Sequence, residues 1–132
     1  MKILLIEDDQ FTREMYQLQF EKMGHTVICA EDGVSGLKLA KDPTLDCVLL
    51  DIMLPQMDGV SVLQAIRENE KKENRKMVAT VIMLTNLGQE DIYQKCLAIE
   101  ANGYIIKARS LPKEVLAQVE IIVSSQEKKN EY

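Results

Sequence analysis

Cys47-Val48-Leu49-Leu50-Asp51 is a short apolar run that stops on a carboxylate. Apolar residues in sequence, without alternation, mark a strand buried on both faces, and such strands belong to parallel sheets covered by helices. Ile3 to Ile6, Thr26 to Ala30, Val78 to Leu84 and Gly103 to Ile106 read the same way. Between these runs the apolar spacing turns helical. The first helix is expected over Thr12 to Met23, with Met15, Leu18 and Met23 inward and Gly24 as its stop, and the second over Val34 to Lys41, with Leu37 and Ala40 inward. A third starts from an Asp58 N-cap and turns Val62, Leu63 and Ile66 inward. A fourth covers Glu90 to about Ala101, carrying Ile92, Cys96, Leu97 and Ile99, and a fifth Leu111 to Ser125. Strand and helix thus alternate five times, the pattern of right-handed βαβ crossovers in an α/β, doubly wound sheet.

A chain of 132 residues has the size of one domain with one continuous sheet and core. Its 46% hydrophobic and 28% charged content excludes a disordered or fibrous chain. Sixteen basic residues against 21 acidic ones give a net charge of −5, which argues against direct nucleic-acid binding. The N-terminal apolar run ends at Glu7, too short for a signal peptide, and no run approaches the ~18 to 20 residues of a membrane helix. Cys29, Cys47 and Cys96 lack metal or redox spacing and read as reduced core residues, so a cytoplasmic protein with no membrane partner is expected. Glu68 to Lys76 reads as a solvated charge run, a frayed helix end and surface loop in preference to a binding motif. The domain is expected over 1–126, with 127–132 a polar tail.

In a doubly wound sheet the loops leaving the carboxyl ends of the strands form the functional crevice. The first strand delivers Glu7, Asp8 and Asp9 there, the third Asp51, the fourth Thr85 and the fifth Lys107. Converging carboxylates repel one another and are tolerated where a cation binds. Hard oxygen donors with open positions suit Mg²⁺, and a lysine and a hydroxyl alongside are what a phosphoryl group needs. Asp9 is more simply an N-cap, Asp58 and Gly59 a cap and a tight turn, and His25 a turn residue without a partner ligand.

Taken together, Glu7-Asp8, Asp51, the turn Leu54-Pro55-Gln56-Met57-Asp58-Gly59, Thr85, Tyr104 and Lys107 resemble the receiver domain of two-component response regulators, from Lys2 to about Ser125. The resemblance implies a flavodoxin-like fold of five parallel strands in the order 2-1-3-4-5 with five helices. It implies that Asp51 accepts a phosphoryl group from a phosphohistidine on a histidine kinase or histidine phosphotransfer protein. Mg²⁺ would be bound by the side chains of Asp8 and Asp51, by the backbone carbonyl of Met53, and by Glu7 through water. Thr85 and Lys107 would contact the phosphoryl group, and Thr85 and Tyr104 would form the switch. The fourth helix, fifth strand and fifth helix would then face a downstream effector protein. Such a chain is a phosphoacceptor that assists its own phosphotransfer and dephosphorylation, not an enzyme acting on a separate substrate.

Two positions depart from the family pattern. Ala108 stands where proline usually follows the lysine, so a trans Lys107–Ala108 peptide is expected. Asn86 stands where a very small residue is usual and narrows access to the site. Met53 and Leu87, both apolar, flank the expected path of an attacking water and imply a long-lived phosphoaspartate. A haloacid-dehalogenase-like phosphatase would need an aspartate where Met53 stands, and a flavin carrier would need a phosphate-cradling loop where Glu7-Asp8-Asp9 would repel the anion. A degenerate receiver serving as a constitutive interaction module stays open because of Ala108, as does the choice between a single-domain regulator and the receiver of a longer chain.

Overall fold

The computed structural model describes residues 1–74, 79–86, 88–107 and 110–130, with the backbone alone at 129 and 130. In chain order the elements are β1 (Lys2–Ile6), α1 (Gln10–Lys22), β2 (Thr26–Ala30), α2 (Gly33–Leu39), β3 (Cys47–Asp51), α3 (Gly59–Lys72), β4 (Thr80–Thr85), α4 (Glu90–Ala98), β5 (Gly103–Ile106) and α5 (Pro112–Asn130). The strands form one sheet in the order β2-β1-β3-β4-β5, every pair parallel, as the sequence led one to expect. Ile6 pairs with both Ala30 and Leu50, Asp51 with Leu84, and Thr85 with Ile106. The strands therefore end at one level, and the residues that follow them emerge side by side.

Alternate side chains of each strand enter opposite layers. Leu4, Ile6, Val48, Leu50, Val81 and Met83 pack under α2, α3 and α4 against Val62, Leu63, Ile66 and Cys96. Ile3, Leu5, Cys47, Leu49, Ile82 and Leu84 pack under α1 and α5 against Tyr16, Phe20, Val115, Leu116, Val119 and Val123. Burial on both sides explains the unbroken apolar runs. Each of α1, α2 and α3 starts from an aspartate, Asp9, Asp32 or Asp58, whose carboxylate accepts a hydrogen bond from the backbone amide three residues on. Asp9 thus proves to be a cap, and α3 begins where expected.

Several expectations need correction. Helix α1 begins at Gln10, before Thr12, and turns Tyr16 and Phe20 inward, their rings stacked 5.7 Å apart. Leu18 is 70% exposed, Met23 60%, and Met15 lies at the margin. The aromatic pair one turn apart covers more apolar surface than the methionine and leucine stripe, and so sets the rotation of the helix. Helix α4 ends at Ala98, short of Ala101, and leaves Leu97 exposed. Helix α5 continues through the polar stretch after Ser125 as far as Asn130. The charged run from Glu68 begins as the end of α3, which reaches Lys72, but it is not solvated throughout, since Glu70 is buried with Arg67; Arg75 and Lys76 lie outside the described residues. Val78, Leu87 and the Lys107–Ala108 peptide lie outside the described residues. Among the described residues, no helix is long and apolar enough to cross a membrane.

Candidate functional site: an acidic crevice at the strand ends

Glu7 and Asp8 follow β1, and Asp51 ends β3 at the neighbouring position in the sheet. One carboxylate oxygen from each of Glu7, Asp8 and Asp51 lies within 4.8 Å of the others. Asp8 is exposed, whereas Glu7 and Asp51 are buried. Gly59 holds this arrangement from below: a Cβ there would overlap the Asp51 carbonyl oxygen, and its amide donates to the Ile52 carbonyl at 2.9 Å. Its role is close approach of backbone beneath Asp51, beyond the tight turn read from the sequence.

Lys107, just past β5, reaches across β4 into the crevice. Its ammonium donates to Glu7 Oε1 at 2.9 Å and to Asp51 Oδ2 at 3.0 Å. Asp51 Oδ1 accepts from the Met53 amide at 3.1 Å. Glu7 Oε2 is buried without a hydrogen-bond donor. Burial above all, then the adjacent Asp51 carboxylate, raises the Glu7 pKa to about 7, against the pull of Lys107. For Lys107, burial acts downward, but Glu7 and Asp51 outweigh it and raise the pKa. One ammonium facing three clustered carboxylates leaves negative charge uncompensated. The orphaned oxygen, the raised carboxyl and the all-oxygen donor set fit a hard divalent cation such as Mg²⁺, which favours one or two carboxylates and retained waters.

Thr85 ends β4 with its hydroxyl buried, donating to the Ile105 carbonyl at the long distance of 3.5 Å. Tyr104 on β5 is partly exposed and rests on Tyr93 of α4, ring centroids 3.9 Å apart. Asn86 is exposed, its amide donating to Gln89 Oε1 at 2.7 Å. Met53 is 57% exposed at the mouth of the crevice. Glu7, Asp8, Asp51 and Lys107 are thus in one cluster, with Thr85 and Met53 on the adjoining strand ends.

Two arginines escaped the sequence reading. Arg13 on α1 donates to the backbone carbonyls of Glu7 at 3.0 Å and Asp8 at 3.3 Å, and faces Glu31 at 3.5 Å. It fixes the path of the acidic loop through backbone contacts, leaving the carboxylates to converge elsewhere. A signal was available in its place one helical turn after the Asp9 cap. The second is Arg67 on α3, buried and paired with Glu70 at 2.7 Å. His25, read as without a role, has Nδ1 at 2.7 Å from the amino group of Met1 and Nε2 at 3.6 Å from Glu120, at the opposite end of the sheet from the crevice.

Residues 3–130 match the family described as the response regulator receiver domain. A match over nearly the whole chain shows the family: the chain belongs to the receiver domains of two-component response regulators. It is 34% identical over 128 residues to the alkaline phosphatase synthesis transcriptional regulatory protein PhoP of Bacillus subtilis, covering 96% of this chain and 50% of that protein. It is 31% identical over 131 residues to response regulator ArlR of Staphylococcus saprophyticus, covering 98% and 55%. The chain spans about half the length of the curated relatives it matches. Among solved structures, a CheY-like receiver domain protein of Methanospirillum hungatei superposes with a TM-score of 0.83 at 24% identity, covering 97% of each chain. The Francisella response regulator 1452 receiver domain gives 0.77 at 26% identity, covering 95% of this chain and 98% of that one. Response regulator receiver domains interact with histidine kinases and with effector domains.

Proposed function

We propose that the chain receives a phosphoryl group on Asp51 from a phosphohistidine of a histidine kinase or histidine phosphotransfer protein. The observation that carries this reading is the Lys107 ammonium bridging Glu7 and Asp51 inside a cluster of three carboxylates. An Asp51 carboxylate oxygen attacks phosphorus, the P–N bond to the donor imidazole breaks with its electron pair leaving on nitrogen, and an acyl phosphate forms. Asp8 and Asp51, with Glu7 through water and the Met53 backbone carbonyl, would hold Mg²⁺. Bound there, the ion supplies positive charge to the phosphoryl oxygens. Lys107 holds the Asp51 carboxylate in place before transfer and pairs with phosphoryl oxygen after it. Receiver activity of this kind is self-assisted transfer and hydrolysis, not turnover of a separate substrate.

The long Thr85 hydroxyl bond to Ile105 is weak and readily exchanged for a phosphoryl oxygen. Movement of Thr85 would free space that Tyr104 enters, loosening its contact with Tyr93 and altering the α4-β5-α5 face presented to a downstream effector protein. The net charge of −5 supports an output through protein contacts, without direct nucleic-acid binding by this unit, and the free thiols of Cys29, Cys47 and Cys96 support a cytoplasmic location.

Incubation with acetyl phosphate and Mg²⁺, followed by intact-mass measurement, is the direct test. One added phosphoryl group is expected, lost in Asp51→Asn and prevented by EDTA. Label at the wild-type level on Asp51→Asn would reject the assignment. A folded wild type that takes no label from either acetyl phosphate or a panel of histidine kinases would favour the constitutive interaction module.

A further inference from the structure

Arg67 lies on the inward side of α3 and is 4% exposed. All five of its N–H donors are used. The guanidinium donates to the Glu100 carbonyl from Nε at 3.1 Å and from a terminal nitrogen at 3.0 Å, to Glu70 Oε1 at 2.7 Å, to the Ala79 carbonyl at 3.1 Å and to Asn102 Oδ1 at 2.9 Å. Asn102 Oδ1 also accepts from the Val81 amide at 2.8 Å, and the Asn102 amide donates to the Val81 carbonyl at 2.9 Å. One side chain therefore ties the end of α3 to the start of β4 and to the junction of α4 with β5.

The two ends of α4 are held very differently. At its C-terminal end, Ala101 N–H bonds the Cys96 carbonyl at 2.9 Å and Glu100 N–H the Leu97 carbonyl at 3.0 Å, a closed helix stop that Arg67 fastens from outside. At its N-terminal end, Gln89 makes no side-chain cap, Gly88 has a φ of +86°, and the ties are the Asn86 amide to Gln89 Oε1 and the ring contact of Tyr93 with Tyr104, with no buried charge among the described residues fastening it. Cys96 is the buried residue of the helix, near its C-terminal end. Beside the N-terminal turn runs a groove of about 330 Å³ lined by Ile52, Met53, Val60 and Ile92, with Lys95 at its rim.

We propose that Arg67 is a positioning residue that pins the α4–β5 junction, so that α4 moves as a lever. Its N-terminal turn swings over the groove beside Met53 while Glu100 and Asn102 stay in place. The fixed end also sets the start of β5, and hence the reach of Tyr104 and Lys107. The anchor stands on the hydrogen bonds above, and the swing of the other end, driven through Thr85, rests on the proposed phosphoacceptor reading.

Residue-resolved amide hydrogen exchange on the whole chain tests this without any phosphodonor. Ile99, Glu100 and Ala101 should exchange on the order of tenfold more slowly than Ile92 and Tyr93. Arg67→Lys keeps the charge but not the fork of donors, and should speed exchange at Ile99 to Ala101 while leaving β1 and β3 unchanged. Asn102→Ala should act in the same direction, and Asn102→Asp, which keeps the acceptor oxygen, should restore the slow rates. Equal rates at both ends in the wild type, or a loss in Arg67→Lys spread evenly over the sheet, would overturn the proposal. A second arm adds beryllofluoride and Mg²⁺, and chemical-shift changes should fall steadily from Ile92 to Glu100. Shifts around Asp51 with equal displacement along α4 would reject the lever. No shifts around Asp51, with the exchange pattern intact, would reject the phosphoacceptor reading and uphold the anchor.

Discussion

Lys107 and Arg67 are both shielded cations facing carboxylates, but their surroundings are opposite in kind. Arg67 spends every donor on an acceptor, two of them on one carbonyl, and pairs with Glu70 at 2.7 Å. Lys107 faces Glu7 and Asp51 with Asp8 close by, and a buried oxygen of Glu7 has no donor at all. Saturated bonding around Arg67 locks backbone segments together, as a buried pair does when all its remaining hydrogen bonds are made. The deficit around Lys107 leaves a standing attraction for a proton or a cation. Burial alone does not separate a site from a scaffold; the balance of donors, acceptors and charge does.

The largest expected difference comes from deleting each cation. Arg67→Ala removes five hydrogen bonds, four of them to partly buried acceptors, and leaves the buried Glu70 carboxylate without the guanidinium, a loss of roughly 3 to 5 kcal/mol. Lys107→Ala should cost much less at pH 5.5, where Glu7 can hold a proton, and more at pH 8 in EDTA. Urea unfolding of both variants at the two pH values measures this. A cost for Arg67→Ala that varied with pH as strongly as that for Lys107→Ala would break the distinction.

Glu7 gives the next effect, and its sign follows from linkage. Its carboxyl titrates at 4.5 when unfolded and at about 7 in the fold. Between those values the folded chain binds more protons than the unfolded one, so stability falls as pH rises through that window. Lys107, held above 10.5, is charged in both states there and contributes no slope. The metal-free protein should lose on the order of 2 to 3 kcal/mol between pH 4.5 and pH 7.5. Glu7→Gln should flatten that slope and exceed the wild type at pH 8. Mg²⁺ should reverse the trend, since the ion competes with the proton and stabilises the wild type more at pH 8 than at pH 5.5. A wild-type stability in EDTA that is flat over this window would mean that Glu7 is solvated in the fold.

The crevice was legible because each of its members directly follows an apolar strand, and parallel strands that end at one level bring such residues together whatever the helices do. Asp9 and Asp58 were legible as caps for a similarly local reason. The face of α1 was not: Met15, Leu18 and Met23 form a plausible apolar stripe, and only packing beneath Val115 and Val119 decides that Tyr16 and Phe20 go inward. Nor was Arg67. In the sequence it directly precedes a charged stretch that looks solvated, while its acceptors at Ala79, Glu100 and Asn102 lie 12 to 35 residues away. Saturation of a buried charge is a property of tertiary contacts, and local patterning carries no trace of it.

The smallest expected effect lies where the Arg67 cluster meets the backbone. Helices α1 and α4 end in the same pair of hydrogen bonds: His25 N–H to the Phe20 carbonyl with Gly24 N–H to Glu21, and Ala101 N–H to Cys96 with Glu100 N–H to Leu97. The residue at the turning point is glycine in α1, with φ of +91°, but glutamate in α4, with φ of +68°. A side chain in that region costs about 1 to 2 kcal/mol through contact of Cβ with the following carbonyl, partly offset by the greater unfolded entropy of glycine. Glu100→Gly should therefore stabilise the chain by up to about 1 kcal/mol, a rise of roughly 2 to 5 °C in Tm. If Arg67 helps to hold Glu100 in this conformation through its two bonds to the Glu100 carbonyl, the gain should shrink in an Arg67→Lys background, where the junction can relax. An equal gain in both backgrounds would assign the positive φ to the helix stop alone, and Arg67 would then restrain the position of the junction without straining it.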